Sequence, residues 1–124
     1  MRQNPEISLI SANCNFINDK SEVISKTNIP THQDDIKKKV YWSYPFNNPT
    51  LFFRRSIFFE VGEYPTKYKF INDYVFVINV ISISEVSNLE LQLGSYRVHN
   101  DNLSNRFNID MKIEHLFFLI KLLK

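Results

Sequence analysis

The stretch that decides the fold class is LELQLGSYRV, at residues 89–98. Apolar and polar side chains alternate along it, which is the period of a β-strand with one buried face. The stretch EISLISA, at residues 6–12, alternates in the same way and predicts a second strand. Residues 13–21 have the composition of a turn, and residues 23–24 then predict a short return strand. The apolar run TLFF, at residues 50–53, predicts a buried strand, so the chain contains a small β-sheet.

Three segments predict helices around this sheet. After Pro30, two Asp residues precede three Lys residues, so each charge lies at the helix end that the helix dipole favours. The stretch SIFFEVG, at residues 56–62, predicts a short helix that ends at Gly62. Residues 107–124 predict an amphipathic helix that we expect to pack on the sheet, with a membrane surface as the alternative. Its apolar face consists of Ile109, Ile113, Leu116, Phe117, Ile120 and Leu123.

Composition excludes several classes of protein. The chain has 124 residues, enough for one domain, and a formal net charge of +2, well below that of a charge-led nucleic-acid binder. Its one cysteine, Cys14, excludes a disulfide framework and a cysteine zinc site. Two glycines cannot form the glycine-rich loops that bind dinucleotides or phosphates. Because no bilayer-spanning run and no signal-peptide layout is visible, we expect a cytoplasmic protein.

Residues 73–83, DYVFVINVISI, give conflicting signals. The β-branched Val and Ile residues favour a strand, whereas an Asp at the start favours a helix. The pattern of apolar residues alone favours the strand.

Four segments in fixed order resemble the family 2 glycosyltransferases, which use nucleotide sugars and have the GT-A fold. They are QNPEISLISANCNFI, NPTLFFRRSIFFEVGEY, INDYVFVINV and LGSYRVHNDNLS. The resemblance runs from about Pro5 to Ser104. It implies that residues 1–124 form a single domain similar to the second, acceptor-side half of the family's catalytic domain. The implied class is α/β, a truncated GT-A-like fold with a small mixed sheet and three or four helices, one of them at INDYVFVINV.

The same resemblance implies roles for five residues. Asp73 matches the catalytic base that takes the proton of the acceptor hydroxyl, and Asn72 stands beside it where the family usually has Glu. Tyr96, Arg97 and His99 match a Tyr-Arg-x-His pattern on the diphosphate side of the donor, with His99 also a candidate metal ligand. Alternation places Arg97 and His99 on one face of the strand end. The alternatives are that Asp73 is only a helix N-cap and that the other three are ordinary polar residues.

The resemblance also implies a divalent metal, Mn²⁺ or Mg²⁺, a nucleotide-sugar donor and a saccharide acceptor. The family's Asp-x-Asp metal motif does not occur in the sequence, and Asn48, Glu63 and Asn79 replace the family's usual His, Gly and Arg. We therefore expect a transferase that is incomplete on its own and needs an N-terminal partner chain or self-associates, without binding nucleic acid. The alternatives are a non-catalytic remnant and a module that binds sugar or protein.

One aromatic cluster has two interpretations. Tyr41, Trp42, Tyr44 and Phe46 lie close together in the sequence. Such a cluster is more often part of a core than a shelf on which sugars stack, and we expect core. His115 has no partner at metal-ligand spacing, so we expect it at the surface or at a helix cap.

Overall fold

The computed structural model describes residues 1–122, apart from the side chains of Leu103 and Asn105. Its strands are β1 (Ile7–Ile17), β2 (Val23–Lys26), β3 (Phe52–Phe53) and β4 (Glu85–Arg97). Its helices are α1 (Gln33–Lys39), α2 (Ile57–Val61), α3 (Asn72–Ile83), α4 (Leu103–Arg106) and α5 (Asn108–Leu122), with a 3-10 turn at Asn48–Thr50. Leu123, which we predicted on the apolar face of the last helix, lies outside the described residues.

All four strands form one sheet with β1 in the middle. β4 runs parallel to β1 along almost its whole length, whereas β2 and β3 are antiparallel to it. Because β4 occupies one edge of β1, β2 and β3 share the other edge, at opposite ends. The predicted α/β class with a small mixed sheet is therefore confirmed. Five helical segments are described, of which α4 and α5 are separated by Phe107 alone.

β1 is longer than its alternating pattern predicts. The turn that we expected from residue 13 begins only after Ile17, because β2 and β4 pair with the second half of the strand. The buried Asn13 is tolerated there since its amide nitrogen donates to the Glu90 carbonyl at 3.2 Å and its oxygen accepts from the Ile29 N–H at 3.0 Å. The strand expected at residues 50–53 shortens to Phe52–Phe53, because Thr50 belongs to the 3-10 turn. The prediction that it is buried is wrong for Phe52, which is exposed.

α3 packs across the sheet and supplies more buried apolar side chains than any other described element. Phe76, Val77 and Val80 are fully buried against Leu9 of β1 and Val86 of β4. A helix that is apolar on nearly all sides is stable only when it is buried on nearly all sides. Because such a helix has no polar face, its sequence shows no helical periodicity of apolar residues. The strand favoured by the pattern alone is therefore wrong, and the helix implied by the resemblance is confirmed. Each large apolar side chain buried here contributes about 1.5–3 kcal/mol.

α5 packs through the face opposite to the one we predicted. Phe118 is buried against Tyr74 and Tyr68, and Glu114 accepts hydrogen bonds from the backbone before α3. The predicted apolar face is exposed at all five described positions, Ile109, Ile113, Leu116, Phe117 and Ile120. The prediction that this face packs on the sheet is wrong, because aromatic and polar contacts of the other face dock the helix.

Within residues 1–122, no helix has the length and apolar character that crossing a membrane requires.

Candidate functional site at Asp73

The first turn of α3 holds the carboxylate of Asp73 in a fixed orientation. One oxygen, Oδ1, accepts the N–H of Tyr74 at 2.7 Å, and the other, Oδ2, accepts the amide nitrogen of Asn48. The N–H of Asp73 in turn donates to Oδ1 of Asn72 at 2.8 Å. The N-cap position belongs to Ile71, so the alternative that Asp73 is the N-cap is wrong. A carboxylate has about four lone-pair sites, so Asp73 keeps acceptor capacity for a ligand.

Asn48 connects Asp73 to the aromatic side chains behind it. Its Oδ1 accepts a 2.7 Å hydrogen bond from the hydroxyl of Tyr44, which leaves its nitrogen facing Asp73. The Tyr44 hydroxyl therefore donates to Asn48, and Asn48 donates to Asp73. Asn48, which stands where the family usually has a histidine, thus contacts Asp73, the predicted base.

A buried polar network fixes the loop that carries Asn48. The hydroxyl of Thr50 donates to the Ala12 carbonyl at 2.8 Å and accepts the Ala12 N–H at 3.1 Å. The side chain of Asn47 donates to the same carbonyl at 2.8 Å, and its N–H donates to Ser11 at 2.9 Å. Because these bonds join the loop to the central strand, Asn48 is held at a fixed place opposite α3.

A cavity of about 320 Å³ opens beside the Asp73 carboxylate. This volume lies at the lower end of the range for small-molecule sites. Its walls come from the loop after α1, from α3 and from α5, and include Trp42, Tyr44, Phe70, Tyr74, Lys112 and His115. Trp42 is 86% exposed, so one face of its indole is available to a ligand at the rim.

Burial and the charge of Asp73 set the protonation of the surrounding groups. Burial raises the pKa of Tyr44 far above its usual value, and the charges of Asp73 and Tyr64 raise it further. The pKa of Tyr64 is raised by burial and then by Asp73. Both phenols therefore remain protonated at neutral pH, and Tyr44 acts as a donor to Asn48. Burial lowers the pKa of His115, which favours its neutral form.

Sequence reasoning missed three residues of this cavity. Asn48 was noted only as a departure from the family pattern, and His115 was expected at the surface or at a helix cap, although it lies against Tyr74 with ring centroids 4.5 Å apart. The core interpretation of the aromatic cluster is confirmed for Phe46 but is wrong for Tyr41 and Trp42, which are exposed. The signal available in the sequence was the cluster itself, together with the Asn-Pro turn that follows it.

The remaining predicted site residues lie together at the end of β4. The hydroxyl of Tyr96 accepts the amide of Asn102 at 2.9 Å, and the N–H of His99 donates to the same side chain at 3.2 Å. The guanidinium of Arg97 donates to the carbonyl of Asn18 and to Ser21 at 3.0 Å. Arg97 thereby holds the turn between β1 and β2.

The structure brings Asp73 and Asn72 together in one place and Tyr96, Arg97 and His99 together in another. Of these last three, none is among the described residues that line the Asp73 cavity. Their assignment to the diphosphate side of a donor stays a prediction.

The described residues form no cluster of three or more His, Cys, Asp or Glu side chains that would hold a metal ion. His99 alone does not make such a site, since divalent metals bind to several convergent donors. The metal implied by the resemblance therefore stays a prediction.

No protein-family model matches the sequence, and no curated protein matches it at a significant level.

Proposed function

We propose that this chain is a glycosyltransferase-like protein that takes part in the inverting transfer of a sugar from a nucleotide-diphosphate donor to a saccharide acceptor. The observation that carries the proposal is the oriented carboxylate of Asp73 on a cavity with an exposed indole at its rim. An acceptor sugar needs a flat apolar contact for its ring and an anionic acceptor for the hydroxyl that reacts. Trp42 and Asp73 offer the two in one cavity.

The proton transfer can be written on these residues. The acceptor hydroxyl donates a hydrogen bond to a free lone pair of Asp73. As its oxygen attacks the anomeric carbon, the proton moves to the carboxylate and the new C–O bond forms on the face opposite the leaving group. The bond from the anomeric carbon to the diphosphate breaks, and the electron pair leaves on the diphosphate oxygen.

Asn48 and Tyr44 orient the base in this scheme without taking the proton. Asn48 holds one carboxylate oxygen, and Tyr44 fixes the amide so that its nitrogen and not its oxygen faces Asp73. The proposed contribution of Arg97 and His99 is to balance charge on the diphosphate, and it requires the donor to reach the end of β4.

A binding module is the second candidate, and the exposure of Trp42 favours it. In that case the cavity binds a saccharide and Asp73 only accepts a hydrogen bond. We place either form of the protein in the cytoplasm, where the single buried free thiol of Cys14 is ordinary.

A transfer assay separates the two candidates. The protein is incubated, alone and with a candidate N-terminal partner chain that carries an Asp-x-Asp motif, with nucleotide sugars, Mn²⁺ and a panel of oligosaccharides. The glycosylated products are measured. We expect transfer that Asp73→Asn lowers by at least about 100-fold, the usual contribution of a general base. Asp35→Asn changes an exposed carboxylate on α1 and serves as the matched control. Absence of transfer with every donor, or an active Asp73→Asn variant, contradicts the catalytic proposal.

A further inference from the structure

The outward face of α5 is a continuous apolar stripe. Five large apolar side chains recur at helical spacing and are 43–73% exposed, namely Ile109, Ile113, Leu116, Phe117 and Ile120. The opposite face docks the helix through the buried Phe118. On a helical wheel the five side chains cover one arc, and no charged residue of Asn108–Leu122 lies within it. α5 is therefore apolar on two faces, only one of which the protein covers.

A groove extends this stripe to α1. The groove has a volume of about 930 Å³, and its floor is formed by Ile78 and Ile81 of α3. Leu116 and Ile120 form the wall on α5, and Tyr41 and Trp42 form the wall at the end of α1. Tyr41 is 52% exposed and Trp42 is 86% exposed, so the exposed apolar surface is continuous from α5 to the two aromatic rings.

Basic side chains surround this surface. Lys37 and Lys38 lie beside Tyr41 and Trp42 around a shallow depression, and Lys112 and Lys121 flank the stripe on α5. Two carboxylates lie at the same rim, Asp34 and Asp110. The rim thus carries four lysines against two aspartates, with the apolar residues between them. Surfaces that bind at the boundary of an anionic bilayer combine aliphatic side chains with Trp or Tyr and a net basic rim. This surface has all three.

We propose that the outward face of α5, together with Tyr41 and Trp42, docks on the surface of an anionic lipid bilayer. α5 would lie parallel to the bilayer with its apolar stripe at the boundary between headgroups and acyl chains. The lysines of the rim would contact the lipid phosphates, and Trp42 would lie at headgroup depth. The charge of the rim is the reason to choose an anionic bilayer as the occupant, and this inference does not depend on the proposed transferase activity.

Vesicle co-sedimentation tests the proposal with the intact protein. The probes are vesicles of phosphatidylcholine alone and vesicles of an equimolar mixture with phosphatidylglycerol. We expect binding to the mixed vesicles, weaker binding to phosphatidylcholine, and a decrease with added salt. The double substitution Ile113→Ser and Phe117→Ser is expected to lower binding by about tenfold or more, because it removes buried apolar area. Lys37→Gln and Lys38→Gln are each expected to lower it by about fivefold on the mixed vesicles only.

The control is Phe59→Ser, which removes an exposed aromatic ring from α2 and is expected to leave binding unchanged. Circular dichroism checks that each variant is folded. Emission from Trp42, the only tryptophan, provides a readout that needs no variant, and it is expected to shift to shorter wavelength on the mixed vesicles. The proposal is overturned if the protein stays in the supernatant with both kinds of vesicle, or if Trp42 emission does not change. A third result also overturns it: the protein is a dimer and binds no vesicle, and the double substitution Ile113→Ser and Phe117→Ser converts this dimer to a monomer.

Discussion

Of the two glycines, Gly94 has no room for a side chain. A Cβ atom at this position would lie 2.7 Å from Cγ2 of Thr50 and 3.1 Å from Sγ of Cys14. Real Cβ atoms do not approach other atoms this closely, so β4 can lie against the 3-10 turn only because residue 94 is glycine. The close approach matters for the site, since Thr50 fixes the loop that carries Asn48.

We expect Gly94→Ala to destabilise the protein by about 1–3 kcal/mol, the usual cost of an extra methyl group in a packed interior. Thr50→Ser removes the clashing methyl group and keeps the hydroxyl, so the double variant should lose less stability than the sum of the single changes. Urea unfolding measures all three variants, with the exposed Ser95→Ala as a control. A Gly94→Ala protein as stable as the wild type would show that the turn can move away.

The ionisation of Tyr74 makes the free energy of unfolding depend on pH in the alkaline range. Burial, and then the charge of Tyr41, raises the pKa of this phenol from 10.0 to about 12 in the folded protein. The folded state therefore binds the proton more tightly than the unfolded state, so the stabilisation is complete below pH 10 and is lost as pH rises towards 12. Its hydroxyl also donates to the Val40 carbonyl at 2.6 Å, a bond that ionisation removes.

We expect Tyr74→Phe to be less stable than the wild type at neutral pH and to lose less stability across the alkaline range. Urea unfolding at a series of pH values measures this difference. If the free energy of unfolding falls equally with pH in the variant and the wild type, other tyrosines, such as Tyr44, cause the loss of stability.

Only some residues of the candidate site could be predicted from the sequence. Asp73 could be chosen in advance because its neighbours in sequence form a recognisable pattern. Asn48 could not, since it lies 25 residues away and its contact depends on the Thr50 network. His115 could not be chosen either, because its burial follows from how α5 docks.

At the scale of elements, Glu114 joins α5 to the start of α3. Its carboxylate accepts three backbone N–H groups, from Lys69 at 2.8 Å, Phe70 at 2.7 Å and Ile71 at 3.2 Å. These groups precede the first turn of α3, so a side chain of one helix satisfies the N-terminal end of another. The contact holds two walls of the Asp73 cavity together.

We expect Glu114→Ala to destabilise the protein by about 1.5–3 kcal/mol, the range for hydrogen bonds to a charged group. Glu114→Gln keeps one acceptor oxygen and should lose less. Thermal or urea unfolding measures both variants, and Glu60→Ala, at an exposed carboxylate on α2, serves as the control. If Glu114→Ala unfolds at the same urea concentration as the wild type, α5 docks through Phe118 alone.

The helices show why patterns succeed or fail for whole elements. The pattern located α5 correctly but assigned its packing face wrongly, because the protein covers the face with Phe118 and Glu114 and leaves the more apolar stripe exposed. α3 lacks a helical pattern because the sheet, α2 and α5 surround it. Local sequence carries no information about which neighbours will cover an element.

At the scale of the whole molecule, the strands were the most predictable part. The alternation of side chains located both long strands, but the apolar face that we predicted to be buried on β4 is exposed at Leu89, Leu91 and Leu93. The parallel pairing of β1 with β4 needs a crossover connection such as the one that α3 provides. The outer edge of β4 has no strand partner within residues 1–122, and Leu89, Leu91 and Leu93 are exposed along it. Self-association of the chain through such a surface stays a prediction.

The separation of the two groups of predicted site residues is also a property of the whole molecule. Asp73 is held beside an aromatic cavity, whereas Arg97 holds the turn between β1 and β2. The function that we propose therefore depends first on whether the Asp73 cavity binds carbohydrate.

The most direct test is a titration of the protein with oligosaccharides, followed through the emission of Trp42. We predict a saturable change in emission with at least one saccharide. We also expect Asp73→Asn to lower the affinity by about tenfold or more, because a charge-assisted hydrogen bond is lost. Asp35→Asn should bind as the wild type does. Emission that stays constant with every saccharide would contradict a carbohydrate site at Asp73.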